Sequence, residues 1–387
     1  MAQPTHCTNP ACRYYLQGSR GWITRDGFYH SQCSGAVQRY RCRCCRRRLS
    51  SQSESIHYYA KRRVNLPRVF ARVRGGSSLR DIARSEGLSP DTIGNAVLRL
   101  ARQAMAAQMW LLSGGEASST RVVFDGLLSC CTSGDYPVQL HTLVDGSSEL
   151  LLAITHALTR RSGRSSAAQR RRIAEKQRVF SPPPGALRSS ISLLVHELPR
   201  FLGSCKAIID TDFLPLYPPL LASEAAITHF SRGGLLVHRR TRSTVHRNTL
   251  NPLFPVNLLD RLLRHRMKEH TRESFAIARN ATMQMHRAWI FAYDHNYCQP
   301  HRVGSGSPVT RGQRYGLSPH SLSSVRGRFF TRRIDVSHAI LSESIRSVWC
   351  GELSTPPVRW RVGQTCSGPR VPRYALGDLR RACLHAP

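Results

Sequence analysis

The sequence predicts a multidomain α/β protein: a small cysteine-clipped head, a short helical unit, and a larger core built on a mixed sheet. Three observations predict it. A chain of 387 residues exceeds one average domain and can bury a sizeable core. Close cysteine pairs stand at residues 7–12 and 42–45, in a segment too small for an apolar core of its own. Beyond residue 120, apolar runs of strand length alternate with turn-like and helix-like stretches. The expected divisions are residues 1–50, 51–110, 120–300, and a tail, 301–387, that opens on the linker-like GSGSP and is poorly specified.

Lys and Arg total 57 against 23 Asp and Glu, a formal net charge of +34, and the excess is spread along the whole length. A polyanionic partner explains this most simply. Because the charge is not gathered on one amphipathic helix, a membrane-surface role is disfavoured. No apolar run reaches the roughly 18 to 20 residues that span a bilayer, and MAQPTHCTNPAC lacks the apolar stretch of a secretion signal. The chain is therefore expected in a reducing, cytoplasmic setting, where its cysteines serve as metal ligands and small core residues rather than disulfides.

Cys7 and Cys12 form a C-x4-C knuckle and Cys42 and Cys45 a C-x2-C knuckle, separated by a hairpin-length insert. That is the sequence form of a zinc ribbon, in which four thiolates on two hairpin tips hold one Zn2+. Cys44 and Cys33 are competing ligands; the usual C-x2-C spacing favours Cys45. Arg41, Arg43, Arg46 and Arg47 crowd the second knuckle, where guanidinium groups suit phosphate oxygens.

Residues 65–104 read as three short helices. Ser78 and Asp81 have capping spacing before DIARSEGL, and Ser89-Pro90 opens the next helix. Ile82, Ala83, Leu88, Ile93, Val97 and Leu100 can share a core, leaving Asp91, Thr92, Asn95 and Arg99 outward on the last helix. This pattern matches a helix-turn-helix whose second helix reads the major groove. Further on, residues 158–185 contain one basic helix that must stop before Pro182, Pro183 and Pro184.

In so basic a chain the carboxylates are worth locating. Asp125 closes the strand-like RVVF and precedes two more apolar runs, YPVQLHTLV and ELLLAITHAL; three successive strands with an Asp on the first begin a ribonuclease-H-like core. Ala207 to Ile209 form an apolar strand running into Asp210 and Asp212, either of which could meet Asp125 across neighbouring strands. Glu269 and Glu273, four apart, are expected on one face of a long, partly amphipathic helix that includes Phe275, Ile277, Ala278, Met283, Ala288 and Ile290. Convergent carboxylates suit a pair of Mg2+ ions, which can grip the attacking and leaving oxygens of an in-line phosphoryl displacement.

The motifs CTNPAC with QRYRCRCCRRRLS, SSLRDIARSEGLSPDTI, VVFDGLLS, TDFLPLYPPL and RNTLNPLFPVNLLDRLLRHRMKEHTRESFAIAR resemble bacterial insertion-sequence transposases of the Asp/Asp/Glu type that carry a zinc ribbon and helix-turn-helix. The resemblance covers roughly residues 5–340. It implies catalytic and magnesium-binding roles for Asp125, for Asp212 ahead of Pro215 and Tyr217, and for Glu273 in Arg272-Glu273-Ser274. It also implies a structured loop at NPLFPVN, recognition of element ends in double-stranded DNA, and a homo-oligomer on DNA near the nucleoid. His246, Arg247, Arg272 and Arg279 are candidate phosphate contacts, and Trp289 is a core residue. The pattern departs at CRCC, where a glycine often follows the last cysteine. The alternatives are a zinc-ribbon and helix-turn-helix regulator, which would bind DNA without cutting it, and an inactive transposase copy.

Overall fold

The computed structural model describes residues 3–358 except 10, 16, 114–116, 204–205, 243, 272–275, 303–307, 335 and 337–340. Among them are a three-stranded antiparallel sheet, a five-stranded mixed sheet and the helices around it. No helix among the described residues is long and apolar enough to cross a membrane.

The head is an antiparallel sheet of β1 (Ile23–Ser31), β2 (Gly35–Cys42) and β3 (Arg48–Ser50). Trp22, Ile23, Tyr40 and Leu49 close around the cysteines in a small core of their own. Gly18 has no alternative here, since a Cβ would meet the Thr5 carbonyl oxygen at 2.2 Å and the Trp22 ring at 2.5 Å.

Three helices follow: α1 (Leu66–Arg74), α2 (Leu79–Glu86) and α3 (Pro90–Leu112). Asn65, Ser78 and Ser89 each cap a helix through a side-chain oxygen that accepts a backbone N–H, and Gly87 turns left-handed at φ 63° to end α2. The third helix is not short. Its 23 residues bury Ala96, Val97, Leu100, Ala104, Met105 and Leu111, so the apolar stripe continues past the residues expected to form a helix-turn-helix and into the main core.

The large sheet is built from β4 (Arg121–Cys131), β5 (Ser133–Asp145), β6 (Leu151–Leu158), then, after α4 (Ala167–Val179) and α5 (Ala186–Glu197), from β7 (Ala207–Thr211). The chain passes through α6 (Tyr217–Ser223) and α7 (Ala225–Arg232) to β8 (Leu236–Arg240). The strand order is β6-β5-β4-β7-β8. The first three strands form an antiparallel meander; β7 runs parallel to β4, and β8 parallel to β7. Asp145 accepts from the Ser147 and Ser148 backbone and hydroxyls to form the β5–β6 turn. Helix α4 ends at Phe180, ahead of the three prolines, as the sequence requires.

After β8 come α8 (Phe254–Arg266) and α9 (Ala281–Tyr293). The single long helix expected through Glu269 and Glu273 is not formed. Met267 breaks out of helical geometry at φ −123°, Lys268–His270 make one 3-10 turn, and the Asn280 side chain caps a fresh start by accepting from Met283 N. The outcome is two helices with a crossing segment between them. Helix α9 is buried nearly all round, and Trp289 is 1% exposed, a core residue.

The tail also differs from expectation. A capping box at Thr310 and Gln313 starts α10 (Arg311–Tyr315), and α11 (Pro319–Arg328) and α12 (Glu343–Cys350) follow. Leu322, Val325, Phe329, Leu341, Ile345 and Val348 are buried in the same continuous core as the sheet, so residues 310–350 are structural rather than an appendage. Phe329 stacks on Tyr293 of α9 with ring centroids 3.7 Å apart. Phe329→Ala should cost about 3 to 5 kcal/mol of unfolding free energy in urea titration, as for other buried aromatic truncations. A loss under about 1 kcal/mol would return the tail to a dispensable role.

Candidate metal and nucleic-acid sites

In the head, all four sulfurs of Cys7, Cys12, Cys42 and Cys45 lie within 4.8 Å of one another. Cys7 Sγ is 3.5 Å from Cys45 Sγ, and Cys12 Sγ is 3.7 Å from Cys42 Sγ. A tetrahedral ion with bonds of about 2.3 Å separates its ligands by roughly 3.8 Å, so this quartet could hold zinc. Backbone N–H groups of Asn9 and Tyr14 point at Cys7 and Cys12 Sγ, both at 3.5 Å, as suits thiolates. Burial pushes the Cys7 thiol up, whereas at Cys45 burial is outweighed by the Arg47 backbone N–H and neighbouring groups, which bring it down to about 7. Cys44 is exposed, and Cys33 lies in the β1–β2 turn; neither joins the cluster. Arg46, in the place of the usual glycine, adopts φ 59°, a left-handed backbone that costs an L-residue about 1 kcal/mol. The chain purified under reducing conditions should carry one zinc per molecule by elemental analysis, lost in Cys42→Ser and kept in Cys44→Ser. The reverse pattern would displace this ligand set.

Of the four arginines expected to meet phosphate, Arg43, Arg46 and Arg47 are exposed. Arg41 is half-buried and, with Arg48, reaches Asp26 at 3.3 and 3.1 Å. On α3, Asp91 is exposed while Thr92 and Asn95 are half-buried, and the Thr92 hydroxyl is 2.8 Å from Ser89 Oγ in the cap. Arg99 corrects the sequence reading: its Nη1 donates to the Ile56 and Tyr58 carbonyls at 2.7 and 2.8 Å, tying the chain below the head onto α3 rather than facing outward.

Asp125 and Asp212 meet at the sheet. Phe124 on β4 pairs with Thr211 on β7 in parallel register, so the next residues, Asp125 and Asp212, stand abreast where β7 ends. The Asp212 charge acts on Asp125, and burial with both of their charges pushes up the hydroxyl of Tyr217, which is 1% exposed. Burial, with Asp212 adding to it, pushes the Asp125 carboxyl up to about 6, although Gly126 N donates to its Oδ1 at 2.7 Å and Arg247 and Arg264 stand near. Asp212 Oδ1 accepts from Leu214 N at 2.9 Å. Among the described residues neither carboxylate forms an ion pair, whereas Asp26, Glu54, Glu86, Asp135, Glu149, Asp294 and both rival acids do.

The rivals are accounted for. Asp210 is fully buried and gripped by Arg121 (Nε to Oδ2, 2.7 Å) and Arg239 (Nε to Oδ1, 2.8 Å). Glu269 is held by Arg287, its Oε1 2.5 Å from Nε. Glu273 and Arg272 lie outside the described residues. The chain on either side of them is anchored to β4: Ser129 Oγ donates to the Glu269 carbonyl at 3.0 Å and sits 3.1 Å from His270 Nδ1, while Thr132 N donates to the Ala278 carbonyl at 2.6 Å. Gln284 Nε2 also donates to Ser129 Oγ at 3.0 Å. Sequence reasoning missed Ser129, His270 and Gln284, because an isolated serine, histidine or glutamine in an apolar stretch carries no local signal of a shared node. The NPLFPVN segment is a clip: Asn251 Nδ2 donates to the Val245 and His246 carbonyls at 3.3 and 2.9 Å, and its Oδ1 accepts from Leu253 N at 2.8 Å. His246, Arg247 and Arg279 are exposed.

No model of a known protein family matches the chain, and no curated protein matches it significantly.

The pH dependence of stability follows from Asp125. Its folded value of about 6 lies above the ordinary 3.8, so its contribution is fully present below pH 3.8 and is lost as pH rises through 6. In magnesium-free buffer, Asp125→Asn should therefore gain on wild type by up to about 3 kcal/mol between acid and neutral pH in urea unfolding. A difference that is flat with pH would show that the carboxyl is not perturbed.

Proposed function

We propose that the chain is a DNA transposase of the Asp/Asp/Glu class, in which a ribonuclease-H-like core cuts and joins DNA and the zinc ribbon and helix-turn-helix bind the element ends. The observation that carries this reading is a pair of carboxylates with no ion-pair partner among the described residues, Asp125 on β4 and Asp212 just past the adjacent parallel strand β7, in a chain with net charge +34. The rival acids Asp210 and Glu269, by contrast, are each held by arginine. Two left together without one cost electrostatic energy and suit a cationic ligand. The strand order, an antiparallel meander followed by two strands parallel to the first, supports the ribonuclease-H-like assignment.

Asp125 and Asp212 would each offer oxygen ligands to magnesium, with Glu273 as the third carboxylate by family resemblance. When bound, a pair of such ions polarises the phosphodiester and lowers the pKa of the attacking hydroxyl. The chain's own residues contribute position. Asp125 is held by the Gly126 N–H and Asp212 by the Leu214 N–H, which fix the carboxylate planes before metal arrives. Asn251 holds the loop bearing His246 and Arg247, whose imidazole and guanidinium N–H groups are suited to the scissile strand's phosphates. The turn pinned by Ser129 fixes one end of the segment that carries Glu273. Arg43, Arg46 and Arg47 on the ribbon, with Asp91, Thr92 and Asn95 at the start of α3, would supply contacts to the element ends.

Incubation of the purified chain with labelled element-end duplex and Mg2+ tests the reading. Asp125→Asn and Asp212→Asn should each reduce strand cleavage by about 1,000-fold or more while leaving duplex binding in place. Wild-type protein that binds the duplex yet never cuts it, or variants that cut normally, would leave a DNA-binding regulator instead.

A further inference from the structure

Helix α4 has 13 residues, AAQRRRIAEKQRV, and none of them is buried. A helix without an apolar stripe gains almost nothing from packing, so its presence in an ordered position needs another cause. The structure supplies three clips. Ser166 and Gln169 form a reciprocal capping box at its start. Asp135, at the beginning of β5, receives Arg172 Nε and Nη2 at 3.1 and 2.9 Å and Lys176 Nζ at 2.6 Å. Tyr136 Oη donates to the Lys176 and Phe180 carbonyls at 3.3 and 3.0 Å, closing the last turn. The helix is fastened by polar contacts on one side.

What this fastening leaves outward is positive charge. Arg164, Arg171 and Arg178 are exposed and form no hydrogen bond or ion pair among the described residues. Arg171 and Arg178 are seven residues apart, about two turns and roughly 10 Å along one face. Glu175 is the helix's single acidic residue. Like charges at this density repel one another, and a polyanion removes the repulsion.

Position narrows the polyanion. Strand β4 continues past Asp125 to Cys131 before the chain turns into β5, and Asp135 holds α4 just beyond that turn. The helix therefore lies at the same end of the sheet as the Asp125 and Asp212 pair, displaced along the strand by roughly 20 Å. At 3.4 Å per nucleotide step, that is about six base pairs of duplex.

We infer that α4 is a second DNA-backbone contact, separate from the ribbon and the helix-turn-helix unit, which grips phosphates of the duplex about half a helical turn from the carboxylate pair through Arg164, Arg171 and Arg178. The inference rests on the reading of the chain as a DNA-processing protein. The contact is to phosphate and carries no sequence information; its role is to hold the duplex across the carboxylate pair during cleavage.

The test uses the full-length, zinc-loaded protein and a labelled DNA duplex of random sequence, with binding followed by anisotropy across a range of KCl concentrations. Replacing Arg164, Arg171 and Arg178 together by Ala should flatten the plot of log affinity against log salt by about 2.7, from 0.9 per lost phosphate contact. Affinity near 0.15 M salt should fall on the order of a hundredfold, equally for unrelated sequences. Glu175→Lys should steepen the slope by about one. All four side chains are exposed, so folding is not at stake. An unchanged slope in the triple variant, with wild type binding normally, overturns the role of α4 and leaves the transposase reading standing. Failure of wild type to bind any duplex, with Asp125→Asn cutting no differently from wild type, sinks both. A change of slope confined to duplex RNA also overturns the inference.

Discussion

The buried Asp210 carboxylate sets the geometry on which the candidate catalytic site depends. Arg121 reaches it from β4 and Arg239 from β8, so one anion fixes three parallel strands in a single register. A side chain two residues further along β7 then has only one neighbour on β4, and that neighbour is Asp125. Because a one-residue slip would turn every side chain to the opposite face, the clamp also decides which face carries Asp212. Arg121 does a second job, donating to the Pro252 carbonyl at 2.7 Å and so tying the NPLFPVN loop to the same strand. Removing one partner of such a buried pair strands the rest without a counter-charge, which is why Asp210 belongs to the scaffold and Asp212 to the site.

A second constraint joins the regions that composition alone separates. Helix α9 packs against α3, and the turn after it carries Asn296 and Tyr297 into contact with Gln108 of α3; Asn296 and Gln108 also bind the Leu151 backbone of β6. Asp294, fully buried, receives Arg74 from α1 and Arg266 from α8, both at 2.9 Å. Two polar networks thus tie the helical unit to the sheet and its helices, one of them centred on the fully buried Asp294 carboxylate.

What was legible in the sequence was local. The two cysteine knuckles, the caps at Ser78 and Ser89, the stop before Pro182 and the Asp at the end of RVVF each rest on residues within a few positions of one another. What was not legible was set by distant partners. Asp210 and Asp212 look alike until Arg121 and Arg239, far away in sequence, claim one of them. Arg99 sits at an outward position on a helix wheel, yet it turns inward because the Ile56 and Tyr58 carbonyls need donors. The break between α8 and α9 did have a signal, Asn280 at cap spacing from Met283, but the apolar residues on both sides made one helix seem continuous. In the tail, glycine and serine at 304–307 masked the apolar spacing of Leu322, Val325 and Phe329 that follows.

Charge explains why the site can be found in so basic a chain. In a field of 57 cationic side chains, about half of the described acids have a guanidinium or ammonium group within 4 Å. Asp125 and Asp212 have no such partner among the described residues: Phe124, Gly126 and Tyr217 stand beside them, and the Arg247 and Arg264 charges act on Asp125 without an ion pair. Burial among these groups raises the Asp125 carboxyl toward neutrality, and the same burial strengthens its attraction for any cation that enters. The burial that disfavours the ionised carboxyl is therefore the same feature that would strengthen its interaction with a cation placed beside it.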